Sequence, residues 1–538
     1  MTRSNTLRKN SMNKSLPNLT KSQPNPLFQQ AVQFHTNGQL EEAASLFETL
    51  LQTTPEHFPT LHRLAAIRRQ QGRHQESLTL LKTAARLNPS SAEIHNSLGN
   101  TLNMLGRSEE AVAAYQESIA LRQDVPEVHQ NLANSFRALA RYEEAALAYQ
   151  TAIALRANYA DAHTNLGLVL DRLGRPEEAL ASLSKALTIT PEIAMAHNNV
   201  GMALLDLSRH EEALPHLQRA RELDPAAPEF AFNHGLAHLG MGNFEFGWPG
   251  YEARWHVPAL NPQPPKISQP MWDGQSDIAG KTILLHAEQG LGDSILFSRF
   301  IAPIIEKGAR VILAVQPALI PLFSSIPCVS QVLPVTGTLP DFDLHVPFCS
   351  LPMVFKTTLQ NIPSKVAYLT APAESPTLAN LDQAPGPRIG ICWTGNPKNP
   401  SDHKRSIPLS IFQRILQIPG ARFVSLQQNL RPGDTAILSQ FPNLDITSLN
   451  QGATLADTAA LISKLDLIIT VDTAIAHLAG ALGRPVWILL RFNPYWVWLR
   501  HRTDSPWYPT ARLFRQPHPG DWPSTLENLI GARGDGPL

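Results

Sequence analysis

Only three cysteines occur in 538 residues: Cys328, Cys349 and Cys392. Their spacing fits neither a disulfide framework nor a zinc site, and so few thiols fit a reducing cytoplasm. Charge of one sign is also lacking, because 45 basic residues face 45 acidic ones and the net charge is +0. A duplex nucleic-acid binder needs a dominant basic surface, so no nucleic-acid partner is expected. No apolar run approaches the ~18 residues of a membrane span, which predicts no transmembrane segment. Residues 1–23 are polar and basic and lack the apolar stretch of a secretory signal. They read as a disordered tail, and the chain as cytoplasmic. Tryptophan is missing from the first 247 residues, although nine follow from Trp248 onward. That asymmetry, in a length that favours three or four domains, predicts two different kinds of protein joined near residue 250. At 43% hydrophobic residues, both halves can build large cores.

The first half repeats with a period of 34 residues. Gly38, Gly72, Gly106, Gly174 and Gly242 share one register, with Ala140 and Ser208 in the same slot. Five residues on stand Ala43, Ala111, Ala145, Ala179 and Ala213; four further on are Phe47, Leu81, Tyr115, Tyr149, Leu183, Leu217 and Tyr251. A helical hairpin explains the pattern. The small residue turns the chain out of helix A, the alanine allows close helix approach, and the aromatic or leucine fills the space between stacked hairpins. Paired acids such as Glu109-Glu110 open helix B, where the macrodipole favours them. His95, His129, His163 and His197 recur at the same period and read as stacking or groove residues, not metal ligands. The pattern resembles the tetratricopeptide repeat (TPR) over residues 24–257, about seven repeats. In the seventh, Gly247 replaces the helix B alanine and Trp248 and Trp255 follow, which predicts a capping repeat docked on the next domain. Each hairpin contacts only its neighbours, so deletion of 24–225 is expected to leave the rest folded.

A proline-rich linker over 258–274 follows, then alternating strands and helices. Strands are expected near 282–286, 311–315, 329–335 and 342–346, and again near 389–393, 422–426, 465–471 and 485–490. The fold class is therefore α + α/β: an N-terminal α-solenoid, then two Rossmann-like domains over 275–385 and 386–538. Ligands of such sheets bind beyond the carboxyl ends of the strands.

Two turns at such ends carry candidate chemistry. Gly290-Leu-Gly292-Asp293 follows the first strand, and its glycines are expected to allow a sharp turn. Ile295 stands where a dinucleotide fingerprint needs its third glycine, so a nicotinamide enzyme fits poorly. Asp293 is either a general base for an acceptor hydroxyl or a helix cap. In the second domain Asp472-Thr473-Ala474 opens a helix whose free N–H groups suit a diphosphate, and His477 either faces the ligand or packs under the loop. The loop 395–408 brings Lys404 and Arg405, cations suited to a departing diphosphate. From residue 388 on, 15 basic residues face 10 acidic ones, which suits an anionic ligand. Asp341-Phe-Asp343 is a DxD triplet but enters a strand, and no metal site is expected. Trp393 is either a base-stacking residue or core.

Gly290-Leu-Gly-Asp293, the Lys404-Arg405 loop and Asp472-Thr-Ala-Ile-Ala-His477 together resemble the heptosyltransferase-like glycosyltransferases of family 9, over roughly 275–520. The resemblance implies a GT-B fold and metal-independent, inverting sugar transfer from a nucleotide sugar, with no further cofactor. It implies Asp293 as base and Lys404, Thr473 and His477 as phosphate ligands, with Arg405, Asp472 and Ala474 lining the donor site and Gly290 and Gly292 shaping the cleft. Ala474 departs from the glycine the family often has there. The order of repeats and GT-B domain is also similar in layout to protein O-GlcNAc transferases. The expected partners are a nucleotide sugar and a protein or glycan acceptor held by the solenoid. Two other readings stand beside this one: a scaffold with an inactive GT-B domain, and a nucleotide-sugar epimerase.

Overall fold

A computed structural model describes residues 25–532, except 259, 261–266, 376–377, 379–385, 400–401, 442–443 and 446–452. The expected tail over 1–23, the linker prolines Pro262, Pro264 and Pro265 and the boundary at Pro385 lie outside the described residues. By compactness the chain divides into two units, Met1–Leu173 and Gly174–Leu538. That division falls inside the repeats, so the last repeats belong with the sheets.

The first unit holds, among its described residues, nine helices from Pro26–Thr36 to Ala160–Arg172. Its turns use the predicted slot. Gly38, Gly72 and Gly106 have φ of 78°, 74° and 72°, and Ala140 adopts 58° in the same place. At Gly106 no atom lies near where a Cβ would stand, so the glycine is needed for backbone geometry alone. Gly106→Ala is expected to cost about 1 kcal/mol, read as a lower denaturant midpoint. Ala140→Gly, where that strain already exists, should not lower the midpoint.

Two periodic features have roles beyond those read from sequence. The Nε2 atoms of His95, His129 and His163 bond the carbonyls of Pro89, Gln123 and Ala157, each six residues back, at 2.9–3.2 Å. His197 does the same to Pro191 in the second unit. These histidines tie down the loop before helix A. In the pairs from Glu109-Glu110 onward the second glutamate also accepts from an arginine just before helix B, as in Arg107–Glu110 at 2.6 Å. Such exposed pairs add only a few tenths of a kcal/mol.

The second unit starts with five helices, Pro176–Ile189, Ala194–Asp206, His210–Leu223, Pro228–Gly240 and Phe244–Tyr251. In the last hairpin a Cβ on Gly247 would stand 2.5 Å from Leu239, and one on Gly235 would stand 2.8 Å from the Gly247 carbonyl. Glycine replaces alanine there because these two helices pack closer than an alanine allows.

Two parallel sheets follow. The first has β1 (Thr282–His286), β2 (Arg310–Val315), β3 (Val329–Pro334) and β4 (Leu344–Pro347) in the order β3-β2-β1-β4. The second has β5 (Arg388–Cys392), β6 (Arg422–Ser425), β7 (Leu444–Asp445), β8 (Leu467–Val471), β9 (Val486–Leu490) and β10 (Ala511–Arg515) in the order β10-β9-β8-β5-β6-β7. Every strand pairing is parallel. Strand order reverses at β1 in the first sheet and between β5 and β8 in the second, and both motif turns leave from these switch points. The expected helix 292–307 is broken, because Pro303 has no N–H for the carbonyl of Arg299; a 3-10 turn, Ser298–Phe300, intervenes. The end of the linker is not a free spacer. Met271 bridges to His345, and Trp272 is buried. Asp343 of the DxD triplet accepts the Thr282 N–H at 2.7 Å, a structural use.

Candidate functional site

The turn after β1 leads into the helix Leu291–Phe297. Asp293 sits in the first turn of this helix, where its Oδ2 accepts the Gly290 N–H at 3.1 Å. It lies deep among protein atoms but keeps a solvent-facing edge. Burial pushes its carboxyl up to about 6; Glu288 and Asp472 add to that, and the Gly290 N–H opposes it. The glycines are not there for a left-handed turn. Gly290 has φ −70° and ψ 166°, ordinary extended backbone. A Cβ on Gly290 would press within 3.1 Å of Asp293 Oδ2, and one on Gly292 would stand 2.8 Å from the His477 ring. Close approach is their physical reason.

The second turn leaves β8. Thr473 caps the helix Ala474–Ala481, its Oγ1 accepting from Ile475 N at 3.3 Å. Asp472, Thr473 and Ala474 are half-exposed. Burial raises the Asp472 carboxyl, while the Trp498 indole and the Arg405 and Arg491 cations act the other way. Arg405 donates from Nη1 to the Asp472 carbonyl at 3.0 Å and from Nε to Asp402 Oδ1 at 3.2 Å, so the basic loop and the helix start are joined. Buried Asp402 also accepts from Arg431 and from Ser406 Oγ.

Two predicted residues are placed differently. Lys404 donates to Asp206 of the repeats at 2.5 Å. His477 is interior: its Nδ1 lies 3.0 Å from Tyr508 Oη, its ring stacks on Trp498 at 5.2 Å, and burial lowers it to about 3. It is neutral at working pH and brings no charge to a phosphate. Trp393 is core, fully buried, with its Nε1 on Asp434 at 3.2 Å. The contact of Gly292 with His477 and Ala474 sets the two turns side by side, with Asp293, Asp472, Thr473, Ala474 and Arg405 around them.

The last repeat enters the same region and reaches beyond the next domain on which its tryptophans predict it to dock. Trp248 is buried and donates to the Thr357 carbonyl at 2.8 Å. Tyr251 Oη lies 3.2 Å from Tyr495 Oη, and both phenols are held well above their ordinary range by burial, with Asp293 among the lesser causes. Phe244, Trp248 and Tyr251 pack on Trp496 of the second sheet's domain, not on the first alone. Trp255 is only half-buried, and Arg254 takes the interior position, fully buried against Glu252, Glu288 and Ser350.

Models of the tetratricopeptide repeat match residues 56–124, 133–174, 160–193 and 198–245. The model described as Glycosyltransferase family 9 (heptosyltransferase) matches 435–490, which includes the turn after β8 but not Asp293 or Arg405. Protein FlbA of Caulobacter vibrioides is 29% identical over 321 residues, 55% of this chain and 53% of that protein. The chain thus spans about half the length of this curated relative. Among solved structures, MamA is 25% identical over 30% of this chain and 95% of its own, with a TM-score of 0.29. A thermophilic TPR protein of Thermus thermophilus, TTC0263, is 25% identical over 34% and 99%, with a TM-score of 0.29. Among the described residues no helix is long and apolar enough to cross a membrane. The chain thus joins a helical-repeat region that matches tetratricopeptide-repeat models to an α/β region of which residues 435–490 match the glycosyltransferase family 9 model.

Proposed function

We propose that the chain is an inverting, metal-independent glycosyltransferase that moves a sugar from a nucleotide-sugar donor to an acceptor hydroxyl. The observation that carries the reading is the abutment of the two turns at Gly292 and His477, which brings the Asp293 carboxylate beside the helix start at Thr473. Asp293 takes the acceptor's proton as the acceptor oxygen attacks the anomeric carbon. The bond from that carbon to the diphosphate breaks, and the charge goes to the leaving oxygen. Thr473, the first N–H groups of Ala474–Ala481 and Arg405 hold that charge. The repeats bind the acceptor, a protein or a glycan. No cofactor besides the donor is needed.

Release of nucleoside diphosphate from a panel of nucleotide sugars tests this reading. One donor is expected to turn over, slowly to water alone. Lys404 and His477 are engaged within the protein, which favours the second reading, an inactive domain that only binds. Binding without release from any donor would support that reading. Thr473→Ala and Arg405→Ala should weaken a nucleoside diphosphate about tenfold and leave the nucleoside unaffected, because both act on phosphate charge. Equal loss for both ligands in calorimetry would place the diphosphate elsewhere.

A further inference from the structure

Arg254 follows the last helix of the repeats and has no exposed surface. Its Nη1 donates to Glu252 Oε1 at 2.6 Å, and its Nη2 to Glu288 Oε1 at 3.0 Å and Ser350 Oγ at 2.7 Å. Ser350 Oγ donates on to Glu252 Oε2 at 2.9 Å. Glu288 stands between β1 and the helix of Asp293, its side chain is fully buried, and its Oε1 also accepts the Cys349 N–H at 3.0 Å. Its second oxygen, Oε2, is buried with no hydrogen-bond partner among the described residues. A buried carboxylate is retained only where a cation compensates it, and Arg254 is that cation. Glu288 and Asp293 flank the Gly290 turn, so what fixes and neutralises the first also sets the field at the second.

We propose that Arg254 is a positioning residue for Asp293, contributed by the last helical repeat and acting through the carboxylate of Glu288. The repeat is then part of the reacting centre as well as a binding arm. The proposal rests on the reading of Asp293 as general base. The groups that face Asp293 come from every neighbouring element. Glu288 lies in its own turn, Cys349 after β4, Asp472 after β8, Tyr495 after β9 and Tyr251 on the last repeat. Among the described residues that hydrogen-bond Glu288, only Arg254 carries a positive charge.

The test is the carboxyl ¹³C titration of Asp293 in the full-length chain, assigned by difference from Asp293→Asn. Glu288→Gln removes a like charge and leaves a cation nearby, so the midpoint should fall by about one pH unit. Arg254→Gln removes the cation that keeps buried Glu288 ionised, so Glu288 takes up a proton and the Asp293 midpoint should fall by a similar amount. The double variant should match Glu288→Gln, because Arg254 acts through that carboxylate. A merely structural role would add the two single effects in the double variant, and that result, or an unmoved midpoint in Glu288→Gln, overturns the proposal. If Arg254→Gln fails to fold, Arg254→Lys keeps the cation and must hold the midpoint near the wild-type value. The titration needs no turnover. These shifts in a chain that releases no nucleoside diphosphate would uphold the coupling and defeat the transferase reading; turnover without those shifts would do the reverse.

Discussion

Asp293→Asn is expected to lower the rate of nucleoside diphosphate release by 10²–10⁴-fold, roughly 3–5 kcal/mol in barrier, while donor affinity stays within a factor of two. The asparagine oxygen can still accept the Gly290 N–H, so the turn keeps its shape. The variant should also be more stable than the wild type at neutral pH. The carboxyl sits at about 6 in the folded chain against 3.8 for the ordinary group. The unfolded chain therefore binds fewer protons between those values, and stability falls as pH rises through that window. At pH 7 nearly the whole penalty is present, about 3 kcal/mol, and a neutral amide removes it. Lost turnover with a raised melting temperature identifies a catalytic carboxylate. Lost turnover with a lowered melting temperature would reduce Asp293 to a helix cap.

The second large effect concerns where the chain can be cut. A chain beginning at residue 174 should fold and still release nucleoside diphosphate, and one beginning at residue 258 should be insoluble. Leu239, Phe244, Trp248 and Tyr251 belong to the core that also contains Phe297, Trp496 and Trp507. Their burial contributes on the order of 10 kcal/mol, comparable with the whole stability of a domain. The expectation that deletion could run to residue 225 needs correction. Lys404 pairs with Asp206, and Arg500 holds Glu211 at 2.9 Å and the Ser208 carbonyl at 2.7 Å, so the helices before residue 225 brace the second sheet's domain. Gel filtration and circular dichroism of the three truncations check the order: the 174 chain monomeric, the 226 chain destabilised, the 258 chain aggregated. A well-folded 258 chain would mean that the last repeats are only an appendage.

The repeats and both sheets were legible because their signals are local. A 34-residue register fixes the turn slot, even where Ala140 and Ser208 stand in it, both at φ 58°. Apolar runs marked the expected strands, but β10 and the helix Trp522–Gly531 were missed; Arg512 and Arg515 broke the apolar run of the former. The two motif turns were found because switch points tell where to look. What was not legible depends on partners far along the chain. Lys404 meets Asp206, 198 residues away, and Tyr251 meets Tyr495, 244 residues away. Arg254 belongs to no periodic slot or motif in the sequence, and only the fold turns it inward onto Glu288. Gly290 and Gly292 were recognised for the wrong reason, since sequence does not separate a glycine needed for φ from one needed for close approach. The periodic histidines carried a local signal, a carbonyl six residues back, that the register alone contained.

In the proposed reaction an ionised Asp293 drives sugar transfer beside the helix start at Thr473. The most direct test is the rate of nucleoside diphosphate release against pH, from about 4.5 to 8, for the donor that turns over. The rate is expected to fall as pH drops through about 6, where the carboxyl takes up its proton, and this limb should be lost in Asp293→Asn. A rate unchanged across that range, or a limb that persists in Asp293→Asn, would contradict that role for Asp293.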